Sequence, residues 1–112
     1  MWVRMNPEIK KARSREGKGC YTLSEDWEIS QDVDTIILRY KRDIVLKITS
    51  EGEILFSSDA KDVELEKENG VLQLNGELAV VFWGFDIVIK LNSEFAVEFQ
   101  EFLEDGFAIE LS

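Results

Sequence analysis

Residues 93–105 read Ser-Glu-Phe-Ala-Val-Glu-Phe-Gln-Glu-Phe-Leu-Glu-Asp, and the period assigned to this stretch decides the architecture of the whole chain. Phe95, Ala96, Phe99, Phe102 and Leu103 fall at i, i+1, i+4, i+7 and i+8, the spacing of one helical face. Asn92 or Ser93 can cap such a helix, and Glu94 suits the positive end of its dipole. Gly106 can end it with positive φ, and Phe107 can fold back on Phe102. The spacing therefore predicts an amphipathic helix over about 93–105 that buries three phenylalanines. At about 25 cal/mol per Å² and roughly 150–200 Å² each, they contribute on the order of ten kcal/mol before opposing terms.

Upstream the period changes to two. Ile36, Leu38 and Tyr40 alternate with Ile37, Arg39 and Lys41; Ile44, Leu46 and Ile48 alternate with Val45, Lys47 and Thr49; Ile87, Ile89 and Leu91 alternate with Asp86, Val88 and Lys90. Such alternation places one apolar face inward and one mixed face outward. Asn69-Gly70 and Asn75-Gly76 are strong hairpin signals, because both residues accept positive φ. Strands are expected at about 20–29, 34–41, 43–50, 53–58, 62–68, 71–75, 77–83 and 85–91. The segment after Ser50 also spells a capping box with Glu53, but Gly52, Ser57 and Ser58 favour a strand. The expected fold is mainly β: an antiparallel small barrel or two-layer sandwich of seven or eight short strands, capped by one C-terminal helix.

That order of elements resembles the architecture of pleckstrin-homology-type domains, in which a terminal helix plugs an open barrel. The resemblance implies a basic lipid-binding loop, for which Arg39-Tyr40-Lys41-Arg42 is the nearest counterpart. Inside the chain, Asp43–Glu51 matches Asp86–Glu94 with six identities in nine positions. Either a hairpin is duplicated at an offset of 43 residues, or amphipathic strands reuse the same few residues.

Length and charge narrow the function. A chain of 112 residues holds one domain. Its 13 basic and 23 acidic residues give a net charge of −10, which argues against a basic nucleic-acid-binding domain. The charge is uneven. Residues 1–20 carry Arg4, Lys10, Lys11, Arg13, Arg15 and Lys18 against Glu8 and Glu16, whereas the remaining residues are strongly acidic. Residues 1–20 are accordingly expected to form a flexible basic arm, and 21–112 a single β-rich domain. The lone Cys20 and the N-terminus, which has no apolar run of a secretory signal, point to a cytoplasmic protein; no stretch is long enough to span a membrane.

There is no His, so imidazole catalysis and His-ligated metals are excluded, and one Cys excludes a multi-cysteine zinc site. Asp43/Lys47 and Asp86/Lys90 lack the middle acid of a metal-dependent nuclease. Gln31-Asp32-Val33-Asp34 and Asp59-Ala60-Lys61-Asp62 lack the ordered spacing of a calcium loop. No catalytic residue, metal or cofactor is expected, and the chain reads as non-enzymatic.

Two features stand out as contact sites. Glu94, Glu98, Glu101 and Asp105 would line the polar side of the expected helix, a strip suited to a cationic partner or to the basic arm. Phe82-Trp83-Gly84-Phe85 lies at an expected hairpin tip, with Trp83 and Phe85 on one side and Phe82 on the other. The function expected is a protein–protein interaction module, binding a protein with a cationic or apolar surface and able to homodimerise, with direct nucleic-acid contact confined to the arm. Alternatives are a carrier of a small apolar ligand within a β-barrel, and an acidic mimic of nucleic acid that blocks a DNA-binding protein.

Overall fold

Period-two alternation becomes strand pairing throughout the computed structural model, which describes residues 12–13, 18–57 and 62–106. The strands are β1 (Ala12–Arg13), β2 (Lys18–Thr22), β3 (Trp27–Asp32), β4 (Thr35–Tyr40), β5 (Asp43–Thr49), β6 (Ile54–Phe56), β7 (Leu65–Glu68), β8 (Val71–Leu74), β9 (Leu78–Trp83), β10 (Asp86–Leu91) and β11 (Glu94–Gln100). β2 to β6 form an N-terminal sheet in sequential order; β7 to β11 form a C-terminal sheet, also sequential. All ten pair antiparallel, and β1 adds to the free edge of β11 in parallel. The two layers share one apolar core, in which Ile29, Ile36 and Leu38 of one sheet and Val80, Ile87 and Ile89 of the other are fully buried. Tyr21 meets Phe99 edge-to-face across the layers at 6.0 Å. Of the two expected forms, the sandwich is the one observed, and among the described residues the strands do not close into a barrel.

Turn chemistry sets the register. Asn69 and Gly70 both have positive φ and join β7 to β8, as the sequence predicts. Lys41-Arg42 and Asn92-Ser93 do the same for β4–β5 and β10–β11. Residues 20–29, expected as one strand, are two. The Ser24 hydroxyl accepts from the backbone N–H of Asp26 (3.2 Å) and of Trp27 (3.1 Å), and reverses the chain there.

Residues 93–105 do not form the expected helix. Glu94–Gln100 is the strand β11, and there is no helix among the described residues. The physical reason is a bulge. Ile89 pairs with Val97 but Lys90 pairs with Phe95, so Ala96 is an extra residue and both Ala96 and Val97 turn inward. A bulged strand followed by buried Phe102 and Leu103 reproduces the spacing of a helical stripe. Asn92 and Ser93, expected as caps, take positive φ instead and make the hairpin turn. Phe95 consequently faces outward and half-buried, while Phe99 and Phe102 point inward with centroids 6.3 Å apart. Without a helix, the likeness to pleckstrin-homology-type architecture ends as well.

The two sheets repeat one another, at an offset other than the one the sequence suggests. Adding 51 to a residue number in β2–β5 gives its counterpart in β8–β11. Trp27 pairs with Tyr40 as Leu78 pairs with Leu91, and Thr22 with Glu28 as Gln73 with Ala79. The β4–β5 and β10–β11 hairpins bulge at the same point, between Leu38 and Arg39 and between Ile89 and Lys90. Lys41 N–H donates to Asp26 O at 2.8 Å, and Asn92 N–H to Glu77 O at 2.7 Å. The counterparts Trp27/Leu78, Ile29/Val80, Ile36/Ile87, Leu38/Ile89, Val45/Ala96, Leu46/Val97 and Ile48/Phe99 are all buried. The match of Asp43–Glu51 to Asp86–Glu94 instead sets β5 against β10, strands at different places in their sheets, and so does not record the structural repeat.

Candidate functional site

The β9–β10 hairpin turns through Gly84, φ +62°, and Phe85. Period-two alternation along β9 sends Phe82 toward the core, where it is half-buried, and Trp83 outward. Trp83 is 76% exposed and Phe85 50%, far more than large aromatics usually show. The expected aromatic tip is therefore present, carried by Trp83 and Phe85.

This tip belongs to one end of the sandwich. Leu103 N–H donates to Phe85 O (3.0 Å), Glu104 N–H to Ser50 O (2.7 Å), and Ser50 N–H to Asp34 O (2.8 Å). That chain of bonds brings the β3–β4 tip, with Val33 59% exposed, to the same end as Trp83. Carboxylates surround the apolar groups. Asp86 pairs with Trp83 across the hairpin, its Oδ1 accepts from Glu101 N–H at 2.8 Å, and Asp32, Asp34, Glu101 and Glu104 are exposed.

The four acidic residues of the expected helix are distributed differently. Glu94 begins β11 at the opposite end, Glu98 lies half-buried on the outer side of the sheet, and Glu101 and Asp105 follow the strand at the Trp83 end. Glu101 lies seven steps along the chain from Glu94, about 23 Å at about 3.3 Å each, so no single acidic strip forms. Of the basic arm, Ala12–Arg13 is strand β1 beside Phe99–Gln100, and Lys18 opens β2 opposite Asp32. The segment expected to be flexible thus contributes strand to both sheets. Arg4, Lys10, Lys11 and Arg15 lie outside the described residues.

The repeat exposes a feature that sequence reading missed. The outer faces of the two sheets occupy equivalent positions but carry different chemistry. On the N-terminal sheet the outward row is Cys20–Ser30–Ile37–Lys47, and beside it Arg39 donates to Ser30 Oγ at 2.8 Å and lies 3.8 Å from Glu28. The equivalent row of the C-terminal sheet is Val71–Val81–Val88–Glu98, and Glu28 is replaced by Ala79 and Asp32 by Trp83. Sequence could have given a signal: Val71, Ala79, Val81 and Val88 hold positions where a strand with one wet face would carry polar residues. Two open grooves run over this face, one of about 620 Å³ along Glu66, Glu68, Val71 and Gln73, the other about 250 Å³ along Val71, Ala79, Val81 and Lys90.

Cys20 is exposed on the outward side of β2. Desolvation, then the neighbouring Glu28 carboxylate, push its pKa up. That is the reverse of what activates a thiol nucleophile. Among the described residues no three His, Cys, Asp or Glu side chains gather as a metal site, and no helix is long and apolar enough to cross a membrane. No protein-family model, curated protein or solved structure matches this chain.

Proposed function

We propose that this protein is a non-catalytic protein-binding module whose contact surface joins the Trp83–Phe85 tip to the outer face of the C-terminal sheet. The observation that carries the reading is the exposure of Trp83, 76%, on a face whose equivalent position in the other sheet is an aspartate. A bare indole continuous with valines costs solubility in a monomer, and tryptophan is among the residues that contribute most to protein interfaces. The carboxylates around the tip suit a partner bearing lysine or arginine, and they orient encounter more than they tighten the complex.

The test is affinity capture with the full chain and with Trp83→Ser/Phe85→Ser, each washed with rising salt. Both residues are exposed, so the variant keeps the core and its circular dichroism should not change. Partners held by wild type and lost by the variant support the reading, and salt-resistant retention assigns them to the apolar tip. An identical set of bound proteins from both baits removes it.

A further inference from the structure

Asparagine followed by glycine occurs at Asn69-Gly70 and at Asn75-Gly76, and both pairs turn a hairpin with positive φ. The same pairing is chemically vulnerable. Glycine has no Cβ, so its amide nitrogen can approach the preceding carboxamide more closely than that of any other residue. The structure treats the two pairs differently. Asn75 is half-buried and clamped: its Oδ1 accepts from Glu64 N–H at 2.8 Å, its Nδ2 donates to Asp62 O at 3.3 Å, and its own N–H donates to Glu64 O at 2.9 Å. Asn69 is exposed, and among the described residues no hydrogen bond holds its carboxamide. The ladder bonds that close its two-residue turn belong to Glu68 and Val71, so closing the turn does not use the Gly70 N–H.

We propose that Asn69-Gly70 is a site of self-modification, at which the Asn69 side chain loses its amide with time and the β7–β8 hairpin opens. The Gly70 nitrogen gives its proton to solvent base and bonds to Asn69 Cγ. The Cγ–Nδ2 bond breaks, and the departing nitrogen takes a proton from water and leaves as ammonia. The succinimide so formed takes up one water. Cleavage at Cγ gives aspartate in an unaltered backbone. Cleavage at the Asn69 main-chain carbonyl gives isoaspartate, whose chain runs through Cγ and is longer by one carbon. Nothing is oxidised or reduced, and solvent water is the co-reactant. Isoaspartate cannot keep the register. The turn joins Glu68 to Val71 through two left-handed residues, and an added backbone carbon displaces one strand against the other. The strand displaced is β7, which ends its sheet; Glu66, Lys67 and Glu68 are exposed, and of β7 only Leu65 packs on the core. It can come away without unfolding the sandwich, which uncovers the edge of β8.

The test incubates the full chain in mildly alkaline buffer, folded and in parallel in urea, with tryptic digestion at intervals. Fragmentation spectra locate each amide-to-acid mass gain, and chromatographic order separates aspartate from isoaspartate. In the folded chain Asn69 should convert about tenfold faster than Asn75 or more, since two side-chain hydrogen bonds must break at Asn75 first. In urea the two should convert at similar rates, because both then precede glycine in an open chain. Asn92, exposed but followed by Ser93, should lag behind Asn69 in both states. Hydrogen exchange then reads the hairpin. The amides shared between β7 and β8 should exchange faster in the isoaspartate form, and at the wild-type rate in freshly prepared Asn69→Asp, which has the added charge without the added carbon. Equal rates at Asn69 and Asn75 in the folded chain overturn the proposal, as does an Asn69 that converts only in urea. Unaltered exchange in the isoaspartate form overturns the opening of the hairpin.

Discussion

Val33 and Gly84 occupy the same place in the two halves of the sandwich, and exchanging their chemistry tests the 51-residue equivalence directly. Both sit in the first position of a hairpin turn with positive φ, +53° for Val33 and +62° for Gly84. A left-handed conformation costs an L-residue about 1–2 kcal/mol, with β-branched side chains at the upper end. Val33 is 59% exposed, so its side chain returns little through burial. Glycine removes the steric cost but gives back roughly 0.5–1 kcal/mol through the greater freedom of the unfolded chain. Val33→Gly should therefore stabilise by about 0.5–1 kcal/mol, and Val33→Asn by a similar amount, since asparagine visits this region without glycine's entropy. At about 4 °C per kcal/mol for a chain near 100 residues, the melting temperature rises by about 2–4 °C. Gly84→Val should lower it by the same margin, because a Cβ there meets none of the described residues within 4 Å and only the backbone term remains. The two terms are opposite in sign, so the exchanged double variant should melt near wild type. Thermal denaturation followed by circular dichroism reads all four. A lower melting temperature for Val33→Gly, together with an unchanged one for Gly84→Val, would refute both the turn assignment and the equivalence.

Two further outcomes follow from single contacts. Trp27 Nε1 donates to Glu77 Oε2 at 2.8 Å and ties the N-terminal sheet to the β8–β9 loop of the other, so Glu77→Ala should cost about 1–3 kcal/mol in urea denaturation and Glu77→Gln clearly less; equal midpoints for wild type and Glu77→Ala would remove this tie. Cys20 should be alkylated by iodoacetamide with a rate that rises only above the ordinary thiol range, since desolvation and Glu28 hold its pKa up, and Glu28→Gln should move the profile to lower pH. Because the folded state keeps the thiol protonated, its contribution to stability is full below the unfolded chain's thiol pKa and fades as pH rises through the folded one. A native alkylation profile lying on that of the urea-unfolded chain would refute the assignment.

Local chemistry made most strands readable. Asn69-Gly70 could only turn, and Ile36, Leu38, Ile87 and Ile89 could only face inward once the period was two. What resisted reading were positions where the period itself slips. At Val45 and Ala96 an extra residue lets two neighbours face the core, so Ile44, expected inside, is exposed and Val45 is buried. A single slip inverts every side chain beyond it. In β11 the slip falls in a phenylalanine-rich run, and the result is indistinguishable by spacing from a helix. Local propensity offered some warning: Glu94, Glu98 and Glu101 at i, i+4 and i+7 would repel one another on a helix. It could not outweigh the apolar spacing without knowledge of where the bulge lay.

The proposed contact surface was half legible for a related reason. Trp83 and Phe85 were recognisable because a tip has too little structure around it to bury two large rings. The valine row was not, because Glu68, Val71, Val81, Val88 and Glu98 become neighbours only through four successive registers, each fixed by a different turn. The repeat was hidden in the same way: between 20–49 and 71–100 the only identities are Leu23 with Leu74 and Ile36 with Ile87. Inward positions demand only an apolar side chain of about the right volume, which Trp27/Leu78 and Ile48/Phe99 satisfy with different residues. Outward positions demand nothing of the fold, so chemistry there is free to answer to a partner. One backbone used twice, with interchangeable cores and dissimilar outer faces, separates what folding requires from what folding leaves open, and the valines and Trp83 fall in the second class.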